Sequence, residues 1–320
     1  MILYLVLPCY NEEEVLPIAC EAIQKKIDDL IKNEIISPQS RILFVDDGSK
    51  DKTWELLVQL TEKSPLFAAL KLSKNRGHQN ALLSGLMEAR KHCDAAISLD
   101  CDLQDDINAI DECIEKYKQG CDIVYCVRDN RESDTFFKRN TALAFYKLMS
   151  VLGVESVYNH ADYRLMSNRA LDALSEYKEV NLFLRGMVPL VGYRHDYVYY
   201  KRSERAAGES KYPLKKMLNF AVDGITSFSV KPLRIVTTIG FWVVLLSIAG
   251  IIYSLVSRFV FESAVSGWTS IVASIWLLGG IQLLCIGICG EYIGKIYSEV
   301  KCRPRYNVEE LILNKNKDKQ

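Results

Sequence analysis

The sequence has no surplus of either charge: Lys plus Arg and Asp plus Glu both number 40. It therefore carries no electrostatic footprint for nucleic acid or for a strongly acidic partner. There are only four histidines, none at metal-ligand spacing, and the ten cysteines form no C-x-x-C pair. That argues against a zinc module and for reduced thiols with a structural role in a cytoplasmic body. Neither G-x-G-x-x-G nor G-x-x-x-x-G-K-[ST] occurs, which disfavours a dinucleotide dehydrogenase and a P-loop NTPase. Internal repeats are absent, and the one polar stretch without pattern is 314–320. The apolar Ile2–Leu7 is too short for a signal-peptide core and runs straight into Pro8 and acidic residues.

What the chain does have is two long stretches without charge. Ile235 to Ser257 and Ser263 to Gly290 hold no Asp, Glu, Lys or Arg. Each exceeds the roughly 18–20 apolar residues that cross a bilayer. Trp242, Tyr253, Trp268 and Trp276 lie within or beside them, where rings can sit at headgroup level. Lys211, Lys215, Lys216, Lys231 and Arg234 precede the first run, and Lys295, Lys301, Arg303 and Arg305 follow the second. The connection holds only Arg258 and Glu262. The positive-inside rule then predicts a multi-pass protein of the cytoplasmic (inner) membrane, with the body and both termini on the cytoplasmic side.

The first half alternates short apolar runs with helix-length segments. Strands are expected at Ile2–Leu7, Ile42–Val45, Phe67–Leu72, Ala95–Leu99 and Asp122–Val127. Helices are expected over Glu12–Ile31, Thr53–Leu60, Ala81–Arg90 and Ile107–Tyr117. That order predicts an α/β fold, Rossmann-like, with a mostly parallel sheet covered on both faces. Two strands end in carboxylates: Asp46-Asp47-Gly48-Ser49 after the second, and Asp100-Cys101-Asp102-Leu103-Gln104-Asp105-Asp106 after the fourth. Ligands of open α/β sheets bind at this rim, where carboxylates can meet ribose hydroxyls or hold a hard cation. Asp is equally at home capping turns and helices, so both readings stay open at each cluster.

The motifs together resemble a known family. Val6-Leu7-Pro8-Cys9-Tyr10-Asn11-Glu12-Glu13, then Val45-Asp46-Asp47-Gly48-Ser49 with Asp51 and Thr53, and Asp100-x-Asp102-Leu103-Gln104-Asp105 are similar to the inverting GT-A glycosyltransferases of family 2. Asn75-Arg76-Gly77-His78-Gln79-Asn80-Ala81-Leu82, Glu204-Arg205-x-x-Gly208-Glu209-Ser210-Lys211-Tyr212 and the two uncharged runs narrow the resemblance to its polyisoprenyl-phosphate subgroup. The resemblance implies a GT-A catalytic domain over 1–210, a juxtamembrane amphipathic segment over 211–231, two transmembrane helices over 232–292 and a cytoplasmic tail over 293–320. It implies a nucleotide sugar, with UDP-glucose favoured, as donor and a polyprenyl phosphate lipid as acceptor. By the same resemblance Pro8, Tyr10, Glu12, Asp46 and Asp47 meet the nucleotide, and Asp102 and Gln104 hold Mg²⁺ or Mn²⁺ with Asp100 beside them. Arg128 and Arg164 would grip the acceptor phosphate, helped by Arg205 and Lys211. Relatives also suggest a tetramer. His160-Ala161-Asp162-Tyr163-Arg164 departs from the usual family wording at its first residues, so no base is assigned to Asp162.

A phosphate monoester has its second pKa near about 6 and is anionic at pH 7, so such a site needs positive charge more than a strong base. Arg suits that task through its forked hydrogen bonds. Leu214, Leu218, Val222 and Ile225 recur at helical spacing, as on a helix lying on the inner leaflet or packed on the catalytic domain. The four histidines read as structural or peripheral. The competing functions are a family 2 transferase with another acceptor and a non-catalytic scaffold that binds nucleotide sugars. A processive polymer synthase is disfavoured by the absence of a Q-x-x-R-W-type sequence.

Overall fold

A computed structural model describes residues 1–128, 160–180, 182–201, 231–260 and 268–313. Eight strands form one sheet: β1 (Leu3–Cys9), β2 (Arg41–Asp46), β3 (Phe67–Leu72), β4 (Ala95–Ser98), β5 (Ile123–Arg128), β6 (His160–Ser167), β7 (His195–Tyr200) and β8 (Val308–Ile312). Their order is β7-β5-β6-β4-β1-β2-β3-β8. β1, β2, β3 and β4 run parallel, as do β5 and β7, whereas β6 is antiparallel to both of its neighbours and β8 to β3. The five strands expected from the apolar runs are all present. β6, β7 and β8 carry too little apolar periodicity to have been read as strands.

The helices between them are α1 (Leu16–Lys32), α2 (Thr53–Lys63), α3 (His78–Ala89), α4 (Ala109–Lys118), α5 (Asn168–Ser175) and α6 (Leu184–Leu190). α1 begins later than its periodicity suggests because Pro17 occupies the first turn, where a missing N–H costs nothing. Alternate residues Leu3, Leu5 and Leu7 of β1 join Leu16, Ile23 and Ile27 of α1 and Ile110 of α4 in one core. The opposite face takes α3, and there the packing is tight. A Cβ on Gly85 would lie 2.4 Å from Val6 Cγ1 and 2.6 Å from Val45 Cγ2. Gly85→Ala is therefore expected to cost about 1–3 kcal/mol by overpacking. A lowered melting temperature of the detergent-solubilised chain checks this, and an unchanged melt would refute the tight α3–sheet contact.

All ten cysteines are free, and the seven between Cys9 and Cys126 are buried, as expected of structural thiols. The chain folds into two compact units. The first contains β1 through β7 and their helices together with β8. Ser73 N–H donates to Asn307 O at 3.0 Å just before β8, and Leu70 pairs with Leu311. Residues 308–312, within the segment read as a tail, thus form an edge strand of the eight-stranded sheet.

The second unit holds α7 (Lys231–Val260) and α8 (Trp268–Val300), 30 and 33 residues long, which form a hairpin at the two uncharged runs. Ile235, Phe241, Trp242, Ile275, Leu283 and Ile286 are exposed on it. Among the described residues no helix is long and apolar enough to cross a membrane. The expectation of two spanning helices is met as far as the helical hairpin itself. The amphipathic segment 211–231 lies outside the described residues except at Lys231.

Candidate active site

Parallel β1, β2 and β4 deliver their carboxyl ends to one rim, and β1 and β4 flank the point where the strand order reverses. The loops that leave β1 and β2 are stitched together by reciprocal hydrogen bonds. Asn11 N–H donates to Ser49 Oγ (3.0 Å), Glu12 N–H to Thr53 Oγ1 (2.9 Å) and Glu13 N–H to Asp51 Oδ2 (3.2 Å). In return Lys50 N–H donates to Asn11 Oδ1 (2.8 Å) and Lys52 N–H to Glu13 Oε2 (3.0 Å). The positive φ of Asn11, 53°, is a conformation that Asn tolerates better than most residues.

Asp46 accepts the Ser49 N–H, and the two oxygens of Asp47 accept the amides of Arg76 (2.6 Å) and Gly77 (2.8 Å). These bonds draw the loop after β3 against the end of β2. A Cβ on Gly48 would come within 2.7 Å of Asn75 N, so only glycine allows that approach. Burial raises the carboxyls of both Asp46 and Asp47, opposed by these same amides. Pro8, Asp46 and Asp47 are buried. Pro8 sits in β1, and Asp46 caps the turn that follows β2. Of the residues expected at the nucleotide, Tyr10, exposed, and Glu12, half-buried, are those a ligand would meet first. Asp47 acts here as the organiser of the 75–77 loop.

The antiparallel register of β4 and β6 pairs Ser98 with Arg164. Continued two residues further, it brings Asp100 opposite Asp162. Ser98 Oγ also donates to the carbonyl of Asp162. His78, the first residue of α3, fills the gap between the two carboxylates. Its Nε2 lies 3.6 Å from Asp100 Oδ1 and 3.6 Å from Asp162 Oδ2. Desolvation would lower His78, but the hydrogen bond to Asp162 and the two carboxylate charges raise it above its usual value. Burial pushes Asp100 up to about 6, with Asp162, Asp105 and Asp102 adding repulsion and His78 opposing. Its side chain keeps 36% of its surface in solvent, which moderates that rise. His78 is thus part of the rim rather than peripheral.

Asp162 also receives two arginines. Arg164 Nη2 donates to its Oδ1 at 2.7 Å, and Arg185 reaches both of its oxygens, from Nε at 3.3 Å and Nη2 at 3.1 Å. Burial alone would raise Asp162. Arg185, the His78 hydrogen bond and Arg164 outweigh it and hold this carboxyl well below the usual range. A carboxylate so stabilised is a weak base. Arg164 is only 1% exposed, and its Nη1 faces Leu184 O at 3.4 Å. Its guanidinium lies inside the fold, paired with Asp162.

Arg128, at the end of β5, is half-buried. It donates from Nε to Tyr200 Oη (3.2 Å) and pairs through Nη2 with Asp105 (3.3 Å). Tyr200 in turn donates to Asp105 Oδ1 at 2.5 Å. Asp102 is half-buried and accepts the Gln104 N–H at 3.2 Å, and Leu103 between them has a φ of 53°, a costly conformation for a leucine. Arg205 and Lys211 lie outside the described residues.

Among the described residues no three His, Cys, Asp or Glu side chains converge as a ready metal cage. The donor chemistry nevertheless fits a hard divalent cation. Asp102 and Gln104 offer oxygens, and buried Asp105 Oδ2 has no hydrogen-bond partner. Magnesium-class ions commonly take one or two carboxylates and complete their shell with phosphate oxygens and water. Sequence reasoning missed His78, Tyr200 and Arg185. His78 lay within a motif, but the other two carry no local signal.

A mostly parallel α/β sheet with acidic strand ends at its switch point and arginines beside them has the layout of a GT-A-like transferase domain. The chain belongs to glycosyl transferase family 2, whose profile matches residues 4–175, and a second profile, the GtrB C-terminal hairpin, matches residues 231–296. It is 51% identical over 308 residues to the uncharacterized glycosyltransferase YkoT of Bacillus subtilis (strain 168), covering 96% of this chain and 91% of that one. It is 40% identical over 306 residues to the bactoprenol glucosyl transferase of Shigella phage SfII, covering 95% and 96% respectively. The solved glucosyl-3-phosphoglycerate synthase of Mycobacterium tuberculosis aligns at a TM-score of 0.45 and 17% identity over 71% of this chain and 78% of that one, too distant to carry an argument.

Proposed function

We propose that this enzyme transfers a hexose, glucose by preference, from a nucleotide sugar to a polyprenyl phosphate at the cytoplasmic face of a membrane. The observation that carries the reading is the family 2 domain and the GtrB-type hairpin in one chain, at 40% identity to a bactoprenol glucosyl transferase over nearly its whole length. An acceptor phosphate oxygen forms the new bond to the anomeric carbon, and the bond to the diphosphate breaks on the opposite face, with inversion. The nucleoside diphosphate leaves with the electron pair. No strong base is called for, because the phosphate is anionic at pH 7, and the depressed Asp162 suits that need.

A divalent cation held by Asp102 and Gln104 would neutralise charge developing on the leaving diphosphate. Tyr10 and Glu12 line the nucleotide side, and Arg128 supplies positive charge beyond β5. Arg205 and Lys211 are proposed to join the acceptor side. The hairpin helices, at about 1.5 Å per residue, are each about 45–50 Å long, more than the about 30 Å of a hydrocarbon core. Their exposed Ile, Leu, Phe and Trp side chains support a membrane setting, and the flanking Lys and Arg support a cytoplasmic catalytic domain.

The test is a panel of nucleotide sugars supplied to the purified full chain in detergent with undecaprenyl phosphate and Mg²⁺, read by mass spectrometry of the lipid. Glucosyl-phosphoundecaprenol from UDP-glucose is expected. EDTA should remove the product, and added Mg²⁺ or Mn²⁺ should restore it. No lipid-linked sugar from any donor would overturn the reading.

A further inference from the structure

Arg164 is enclosed by the fold, and the carboxylate that holds it also holds a second arginine that is more open to solvent. We infer that Arg185, on α6, is an acceptor-phosphate arginine of this site, held by Asp162 until the phosphate takes its guanidinium. The inference rests on the polyprenyl-phosphate reading above.

Arg185 and Arg164 share one carboxylate but differ in what surrounds them. Arg164 makes the shorter bond, 2.7 Å, from a side chain 1% exposed, whereas the Arg185 side chain is 34% exposed and its bonds are 3.1 and 3.3 Å. Both pairs share the buried Asp162, but the Arg185 end is open to solvent, so an incoming anion can reach this guanidinium and not that of Arg164. When Arg185 turns away, Asp162 keeps Arg164 and His78 as partners, so no buried charge is left alone.

The position also fits. The contacts run from Arg185 to Asp162, from Asp162 to His78 and from His78 to Asp100, along one rim. The fork of Arg185 already grips a carboxylate through two nitrogens, and the same geometry takes two oxygens of a phosphate. Leu184 N–H is fixed to Gln79 Oε1 at 3.0 Å, which ties the start of α6 to α3, where His78 lies. A dianionic phosphate outcompetes a single carboxylate for this guanidinium by charge. Arg185 and Arg128 then approach the acceptor from α6 and β5.

The test measures binding to the full chain in detergent by calorimetry, with geranyl phosphate as a soluble isoprenyl monophosphate and UDP as the donor-side probe. Arg185→Ala is expected to weaken geranyl phosphate about tenfold or more and leave UDP unchanged. Arg185→Lys, which keeps the charge and the fold without the fork, should lie between. In turnover the acceptor KM should rise with the donor KM unchanged. Equal geranyl phosphate affinity in wild type and both variants overturns the inference while the acceptor reading stands. Loss of UDP binding instead would place Arg185 on the donor side and overturn it too. Failure of the wild-type chain to bind geranyl phosphate would overturn the acceptor reading and this inference with it.

Discussion

Asp162→Ala is expected to destabilise the catalytic domain by about 3–5 kcal/mol. The substitution leaves Arg164 with its charge buried and its salt bridge gone, and its Nε already has no hydrogen-bond partner. Arg164 is 1% exposed in the intact fold, so its charge would lie far from bulk water once the carboxylate is gone. Asp162→Asn keeps an acceptor oxygen but not the charge, so its cost should be smaller. The same residue sets an acid-side dependence. Its folded pKa lies well below its unfolded value, near about 3.9, so its contribution is complete above that value. The contribution disappears as pH falls through the folded pKa. The wild-type chain should therefore lose stability in strong acid, and Asp162→Asn should show a flatter profile there. Denaturant midpoints across acid pH check both points. Equal midpoints for wild type and Asp162→Ala at neutral pH would refute the buried pair. His78 works in the opposite sense: its raised pKa adds stability that is full below about 6.5 and lost as pH rises through the folded value.

Asp102→Ala is expected to lower transfer about a thousandfold or more, because several kcal/mol of charge stabilisation at the leaving diphosphate would go with the cation. Stability should change by less than about 1 kcal/mol, since the side chain is half-buried and adds to the repulsion felt by Asp100. Initial rates of lipid glycosylation, paired with melting curves, separate the two effects. A variant within about tenfold of wild type would sink the assignment of Asp102 to the cation. Residual activity that no longer responds to EDTA would support it, because the cation would then have lost its seat.

The first five strands were legible because each is a short, nearly continuous apolar run buried on both faces, bounded by polar turns. Ile42–Val45 and Ala95–Leu99 show this directly. β8 was not legible: Val308-Glu309-Glu310-Leu311-Ile312 is an edge strand that is mostly exposed, and its charges blunt the edge instead of marking a core. β6 and β7 mix buried tyrosines with polar residues, and Arg164 within β6 is itself buried. No periodicity rule anticipates a buried arginine.

The sequence by itself determined the α/β alternation, the acidic strand ends and the uncharged hairpin, because these are local patterns of polarity with their own periods. The tertiary structure alone decided which charged residues face each other. Asp162 and Asp100 are 62 positions apart and meet only because β6 runs antiparallel to β4. Arg164 and Arg185 compete for Asp162 because α6 returns to that strand. Whether an arginine points into the fold or toward the rim depends on that meeting, and no stretch of chain around it records the outcome.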